Sequence, residues 1–174
     1  MAIEKVREYL KQFNAADRIV EFTTSSATVE LAAEAVGCIP ARIAKSLAFQ
    51  GEDKVIMVVM AGDAKVDNAK YKHTFGFKAR MLPLEEAESK VGHAVGGVCP
   101  FALNDGVEVY LDESLKRFET VYPACGSANS AIEATIAQLE EYSQNFIAWV
   151  DVAKGWQENY RICPRMMSAL FSQV

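Results

Sequence analysis

The spacing of apolar residues changes period several times along the chain, and each change marks an element. Residues 2–14 carry Ile3, Val6, Leu10 and Phe13 three or four apart, the pattern of a helix with one buried face. "RIVEF" (18–22) alternates as a short strand. "TSSATVELAAEAVG" opens on hydroxyl residues suited to capping, places Glu30 two residues beyond Thr28, runs through an alanine-rich body and stops at Gly37, so it is a helix. Two apolar runs, 42–49 and 54–60, flank the turn-forming "QGEDK" and predict a hairpin, which makes the sheet at least partly antiparallel. A helix over 64–75 ends at Gly76, "KARML" reads as a short strand, and "LPLEEAESKVG" as a helix with Pro83 early and Gly92 at its end. In "HAVGGVCPFALNDG" the periodicity fails; adjacent glycines, a proline and Asn-Asp-Gly predict a long loop with room for one strand. "VEVYLDESL" resumes strand character, "FETVYPACGSANSAIEAT" reads as two strands bent at Gly126, "TIAQLEEYS" as a helix capped by Thr135, and "FIAWVDV" as a last strand. Strands and helices mix without strict alternation, which points to an α+β or mixed α/β domain around a curved sheet.

One position breaks its own pattern. In "IPARIAKSLAF", alternation puts Ile43, Lys45, Leu47 and Phe49 on one face and Ala44, Ser46 and Ala48 on the other. A lysine on the bulky face must snorkel, find a partner, or be held for a purpose.

Composition narrows the functional classes. A chain of 174 residues, 51% hydrophobic, suffices for one domain with a core. Its start lacks the apolar stretch of a signal peptide, and no run approaches the ~18 residues of a membrane span, so a cytoplasmic protein is expected. The net charge of −5 argues against nucleic-acid binding by overall charge. Lys65, Lys70, Lys72, Lys78 and Arg80 nevertheless cluster, with His73 among them and only Asp67 opposing; they form either a solvated face or a phosphate-contacting patch. Cys38, Cys99, Cys125 and Cys163 are scattered without a CxxC pair, and only His73 and His93 accompany them, so reduced thiols are expected and no metal or cofactor.

GxGxxG, GxxxxGK[ST], HExxH and GxSxG are all missing, which removes the local signatures of dinucleotide, P-loop, zincin and α/β-hydrolase sites. Cys99 with His93 is a candidate nucleophile, against the alternative of a small buried hydrophobe. In "GGVCP", Gly96 and Gly97 can bring backbone N–H groups close to a carbonyl or oxyanion while Pro100 stiffens the exit; the same residues also make a tight turn. The loop "ACGSAN" (124–129) is similarly small and polar, and either loop can wall a pocket.

Four segments in this order, "ARIAKSLAF", "VIMVVMAGDAKVD", "GGVCPFAL" and "VYPACGSANSAIEAT", resemble the YbaK/EbsC-like proteins and the related editing domain of bacterial prolyl-tRNA synthetase, over roughly residues 2–152. The resemblance implies a mixed α/β (α+β) fold, with a curved, largely antiparallel mixed sheet around a pocket and flanking helices. It implies one editing domain over 1–152, with 153–174 as a C-terminal extension. The implied activity is a trans-editing deacylase that hydrolyses the ester of mischarged tRNA(Pro), typically carrying Cys or Ala, with the tRNA acceptor end as partner and prolyl-tRNA synthetase as a second. Lys45 matches the family's functional lysine, and Gly96, Gly97, Val98, Cys99 and Pro100 match its Gly-x-x-x-Pro loop, whose backbone binds the aminoacyl end. Ile43, Leu47, Phe101, Gly126 and Ser127 would contact the substrate, and the basic stretch from Lys65 to Arg80 the tRNA. The chain departs from the family at Ala124, where many members carry Ser, and places Phe101 after Pro100. The expected mechanism needs no protein nucleophile: loop N–H groups stabilise the carbonyl oxygen and Lys45 anchors the substrate. The rivals are a non-catalytic module that binds charged tRNA or a synthetase, and a hydrolase of small non-tRNA esters.

Overall fold

A computed structural model describes residues 2–157. In chain order the elements are α1 (Ala2–Leu10), β1 (Val20–Glu21), α2 (Val29–Val36), β2 (Ile43–Gln50), β3 (Val55–Ala61), β4 (Lys65–Val66), α3 (Asn68–Phe75), α4 (Leu84–Val91), β5 (Val107–Asp112), β6 (Thr120–Pro123), β7 (Ser130–Ala131), β8 (Ala134–Thr135), α5 (Ile136–Tyr142), β9 (Phe146–Val150) and β10 (Ala153–Lys154). Short 3₁₀ turns extend or link them at Lys11–Phe13, Ala16–Arg18, Pro40–Arg42 and Glu113–Arg117.

The helix ends follow local chemistry. Thr28 accepts the N–H of Leu31 at the start of α2, and Gly37 closes it at φ +76°. Asp67 accepts the N–H of Lys70 at the start of α3. Thr135 and Gln138 form a reciprocal capping box on α5. The expected helix over 64–75 therefore begins only at Asn68; Lys65–Val66 before it is extended and pairs antiparallel with β10.

Six strands form one curled sheet in the order β8-β6-β2-β3-β5-β9. The β2–β3 hairpin pairs Ala44 with Ala61 through Gln50 with Val55, as the turn chemistry requires. A largely antiparallel sheet is not what forms: the joins β2–β6, β3–β5 and β5–β9 are parallel, and only β2–β3 and β6–β8 are antiparallel. The reason lies in the connections. Only β2–β3 is closed by a tight turn, whereas β3 to β5 and β5 to β9 cross over through helices and loops that return the chain in the same direction. β3 is buried along its whole length, as a central strand covered on both faces should be.

Two other segments depart from expectation. "KARML" is not a strand but runs beside β2 with a single bridge, Met81 to Phe49, and bonds between Gln50 and Arg80 and between Leu82 and Ala48. Residues 118–135 make three short strands rather than two, because β6 turns away at Gly126 (φ +91°) and β7 leaves the main sheet to pair with β1. Residues 93–106 contain no strand.

The core lies under the sheet, around Phe49, Met57, Met60, Tyr71, Phe101, Leu111 and Leu139, all nearly inaccessible. Phe49 packs on Tyr71, which packs in turn on Phe75, with ring centres 4.9 and 4.6 Å apart. The chain does not leave this body at residue 152: Ala153 is buried, β10 pairs with β4, and Trp156 lies against the Arg117 guanidinium. The rest of the expected C-terminal extension, including Cys163, lies outside the described residues.

Candidate active site

A cavity of about 270 Å³ opens where β2 faces α2, the 81–87 segment and the two small loops at 95–98 and 124–131. Its walls are mostly alkyl groups: Ile43, Leu47, Leu82, Ala87 and Val98 among them, with the exposed side chains of Met81, Leu84 and Val95 at the rim. Lys45 is the charged side chain among the lining residues.

The lysine on the bulky face of β2 is thus on the cavity wall, between Ile43 and Leu47. Phe49, two residues further along that face, is instead sealed into the core. The Lys45 ammonium donates to the carbonyl of Gly62, at 3.2 Å, and to that of Ala64, both in the turn after β3. An ammonium has three donors, so one remains for the cavity. Burial pulls its pKa below the ordinary lysine value; nearby Asp63 and Glu30 pull it back up, and Lys65 adds to the drop.

The glycine loop divides in two. Gly96 and Val98 line the cavity. Gly97 does not, and its N–H is already bonded to the carbonyl of Ala94 at 3.0 Å, so it is not an oxyanion donor. Its glycine serves packing: a Cβ there would stand 2.5 Å from the carbonyl carbon of Gly126, whose own N–H donates to Gly97. The two small loops therefore interlock backbone to backbone. Gly126 in turn abuts the start of α1, where a Cβ would come 2.7 Å from the carbonyl oxygen of Ala2.

Cys99, Pro100 and Phe101 are buried on the far side of the loop and do not line the cavity. Phe101, expected to contact substrate, is inaccessible and stacks on Tyr9 at 6.4 Å. The nucleophile reading of Cys99 fails on geometry and charge. Burial pushes its thiol up to about 12. His93 Nε2 lies 2.6 Å from the carbonyl of Phe101, so that nitrogen carries the proton and cannot accept one from Cys99 Sγ, 3.4 Å away. Ser127, also expected at the substrate, sits outside the lining with its hydroxyl 2.7 Å from Ser130 Oγ and 2.9 Å from Asn129 Oδ1; its neighbours Ala124 and Ser130 take the wall.

The reading of single residues missed the far wall. Ser26, Thr28, Val29 and Ala32 reach the cavity from α2 and its approach. Ser26 Oγ, on the approach to α2, and Ser46 Oγ, on β2, are buried without a hydrogen-bond partner in the protein. The hydroxyl-rich "TSSAT" is the signal that was available, but it reads first as helix capping.

Of the basic stretch, Lys65, Lys72, Lys78 and Arg80 are exposed. Lys70 is not available to phosphate, because it bonds Asp151 at 3.0 Å and the carbonyl of Ala153. Arg80 adjoins Met81 at the cavity rim. Among the described residues no cluster of His, Cys, Asp or Glu could hold a metal, and no helix is long and apolar enough to cross a membrane.

Comparison with known proteins adds to this geometry. The sequence model of the aminoacyl-tRNA editing domain matches residues 23–142. An uncharacterized protein of Bacillus subtilis (strain 168), YwhH, is 56% identical over 158 residues, 90% of this chain and 100% of that protein. A proline-tRNA ligase of Kosmotoga olearia is 30% identical over 90 residues, 51% of this chain but only 16% of the ligase. A solved structure described as a proposed trans-editing enzyme for prolyl tRNA synthetase superposes with TM-score 0.79 at 29% identity, covering 88% of this chain and 98% of its own.

Proposed function

This chain belongs to the aminoacyl-tRNA editing domain family, and we propose that it is a deacylase acting in trans on the ester of mischarged tRNA(Pro), with Cys or Ala as the amino acid removed. The observation that carries this reading is the cavity itself, an alkyl-walled space with one ammonium, Lys45, on its wall. The aminoacyl group enters between Ile43, Leu47, Ala124 and Val98, and Lys45 uses its remaining donor on an oxygen of the ester or the terminal ribose. The exposed Lys65, Lys72, Lys78 and Arg80 meet the phosphates of the acceptor stem. The protein works in the cytoplasm beside translation, with prolyl-tRNA synthetase as the source of its substrate.

The chemistry is ester hydrolysis by water or by a group of the substrate. Neither a thiol, a carboxylate nor an imidazole lines the cavity, and hydrolysis in this reading uses none of the lining hydroxyls of Ser26, Thr28, Ser46 and Ser130 as an acyl-forming nucleophile. An aminoacyl ester is activated enough that positioning and charge stabilisation suffice. Gly96 and Val98 are the loop residues that line the cavity, and in this reading their backbone N–H groups face the carbonyl oxygen.

The test is a deacylation panel on tRNA(Pro) charged separately with Pro, Ala and Cys. Release of Ala or Cys with Pro retained is the expected result. Release of none, together with measurable tRNA binding, would make the protein a binding module instead.

A further inference from the structure

Lys45 is held by a turn that is itself held from outside the cavity. The turn at residues 61–64 is fixed at several points. The N–H of Ala61 donates to Ser114 Oγ at 3.0 Å. Gly62 lies so close to the backbone of Pro40 that a Cβ would stand 2.1 Å from its carbonyl oxygen. Asp63 receives both prongs of the Arg117 guanidinium, at 2.5 and 3.0 Å. Held this way, the turn presents the carbonyls of Gly62 and Ala64 to the Lys45 ammonium.

Arg117 is fixed with equal care. Its side chain is 3% exposed, its Nε donates to the carbonyl of Ser114 at 2.9 Å, and its guanidinium lies over the rings of Phe118 and Trp156, 4.8 and 5.1 Å from their centres. Its Nη1 also reaches the carbonyl of Trp156. A buried ion pair is a poor way to gain stability, since an apolar pair of the same volume does as well or better. What an apolar pair cannot supply is a fixed negative charge on the same turn whose two carbonyls hold the ammonium.

We propose that Asp63, clamped by Arg117 against Trp156, is the positioning residue for Lys45, so that the chain beyond β9 forms part of the support of the site. The proposal rests on the reading of Lys45 as the group that meets the substrate. The charges around the ammonium are Asp63 from the turn, Glu30 from α2 and Lys65 from β4, and of these Asp63 is the one that the fold clamps with an arginine. Removing its charge leaves burial and Lys65 opposed by Glu30 alone, and strips the Arg117 guanidinium of its counter-charge, so Lys45 moves toward the neutral form.

The experiment uses the full-length protein with lysine labelled at ¹³Cε, the Lys45 signal being assigned by its loss in Lys45→Met. Asp63→Asn is expected to lower the pKa of Lys45 by roughly half a unit or more. It should also reduce kcat about tenfold with little change in KM, and move the alkaline limb of the deacylation profile to lower pH. Asp63→Glu, which keeps the charge, should restore the pKa and most of kcat, a rescue that a purely structural role does not predict. A folded Asp63→Asn protein whose Lys45 titrates as in the wild type overturns the proposal. The titration does not depend on turnover, so a wild-type protein that hydrolyses nothing counts against the deacylase reading while the NMR result still decides this one. If Asp63→Asn does not fold, Arg117→Lys serves: a shifted Lys45 signal is expected, and an unshifted one overturns the proposal.

Discussion

At the scale of the residue, Lys45 concentrates the cost of burial and, in the proposed reading, the function. Its folded-state pKa is lowered, so the unfolded chain, near ~10.4, binds this proton more tightly, and the charge opposes folding at neutral pH. That handicap fades as pH rises through the folded value toward the unfolded one. Lys45→Met removes it, and with it that part of the rise in stability with pH. The same change strips the donors from the Gly62 and Ala64 carbonyls, a loss of about 1 kcal/mol each. The two effects oppose, so Lys45→Met should melt within about 5 °C of the wild type while deacylation falls about a hundredfold or more. Thermal melts and single-turnover release of the amino acid measure the two separately. A well-folded Lys45→Met protein with near wild-type turnover would sink the assignment. Cys99 gives the complementary case. With its thiol pushed up to about 12 and buried beneath the loop, Cys99→Ser should retain activity within about threefold once corrected for folded fraction, and intact-mass analysis during turnover should find no acyl-enzyme.

At the scale of the element, the two small loops act as one wall. Gly97 and Gly126 allow their backbones to touch, and the N–H of Gly126 fastens them together. Gly97→Ala forces a methyl group into the carbonyl of Gly126 and should cost about 2–3 kcal/mol, read as a fall of roughly 4–12 °C in Tm. Because Gly96, Val98, Ala124 and Ser130 ride on the same two loops, activity should fall further than the loss of folded protein explains. Gly37→Ala is a useful control. Its φ of +76° brings the strain of a left-handed residue, but a Cβ there meets nothing within 4 Å, so about 1 kcal/mol of stability should go while kcat stays.

At the scale of the whole molecule, the proposed binding of tRNA by an acidic protein of net charge −5 requires a local basic patch. Lys70 is committed to Asp151, which leaves Lys65, Lys72, Lys78 and Arg80 as the exposed cations of the stretch, with Arg80 next to Met81 at the rim. Reversing Lys72 and Arg80 to Glu should weaken tRNA binding and flatten its salt dependence by about one unit of log-log slope per lost contact. Cleavage of a minimal aminoacyl-adenosine, which carries no stem phosphates, should hardly change. Equal losses on both substrates would show damage to the pocket and defeat the patch. Titrating binding against salt, with Lys70→Glu as a variant expected to disturb β10 rather than the slope, separates these outcomes.

What short-range chemistry controls can be read from the residues alone. A hydroxyl cap and a terminal glycine set α2, Thr135 capped α5, a tight turn set the β2–β3 hairpin, and one lysine out of place marked the cavity wall. The motif order around that lysine was enough to resemble the family the chain belongs to. Tertiary structure decided the rest, because it depends on partners far along the chain. The parallel joins follow from crossovers dozens of residues long, which periodicity does not encode. "KARML" has the composition of a strand but gains only one bridge, and Lys70 looks free until Asp151, 81 residues away, folds beside it. Which glycine faces the cavity and which serves packing is settled by the approach of a second loop, since a residue's own dihedral angles are local but the backbone that crowds it is not. Asp63 and Arg117, 54 residues apart, meet only because β3 and β5 lie side by side in the sheet.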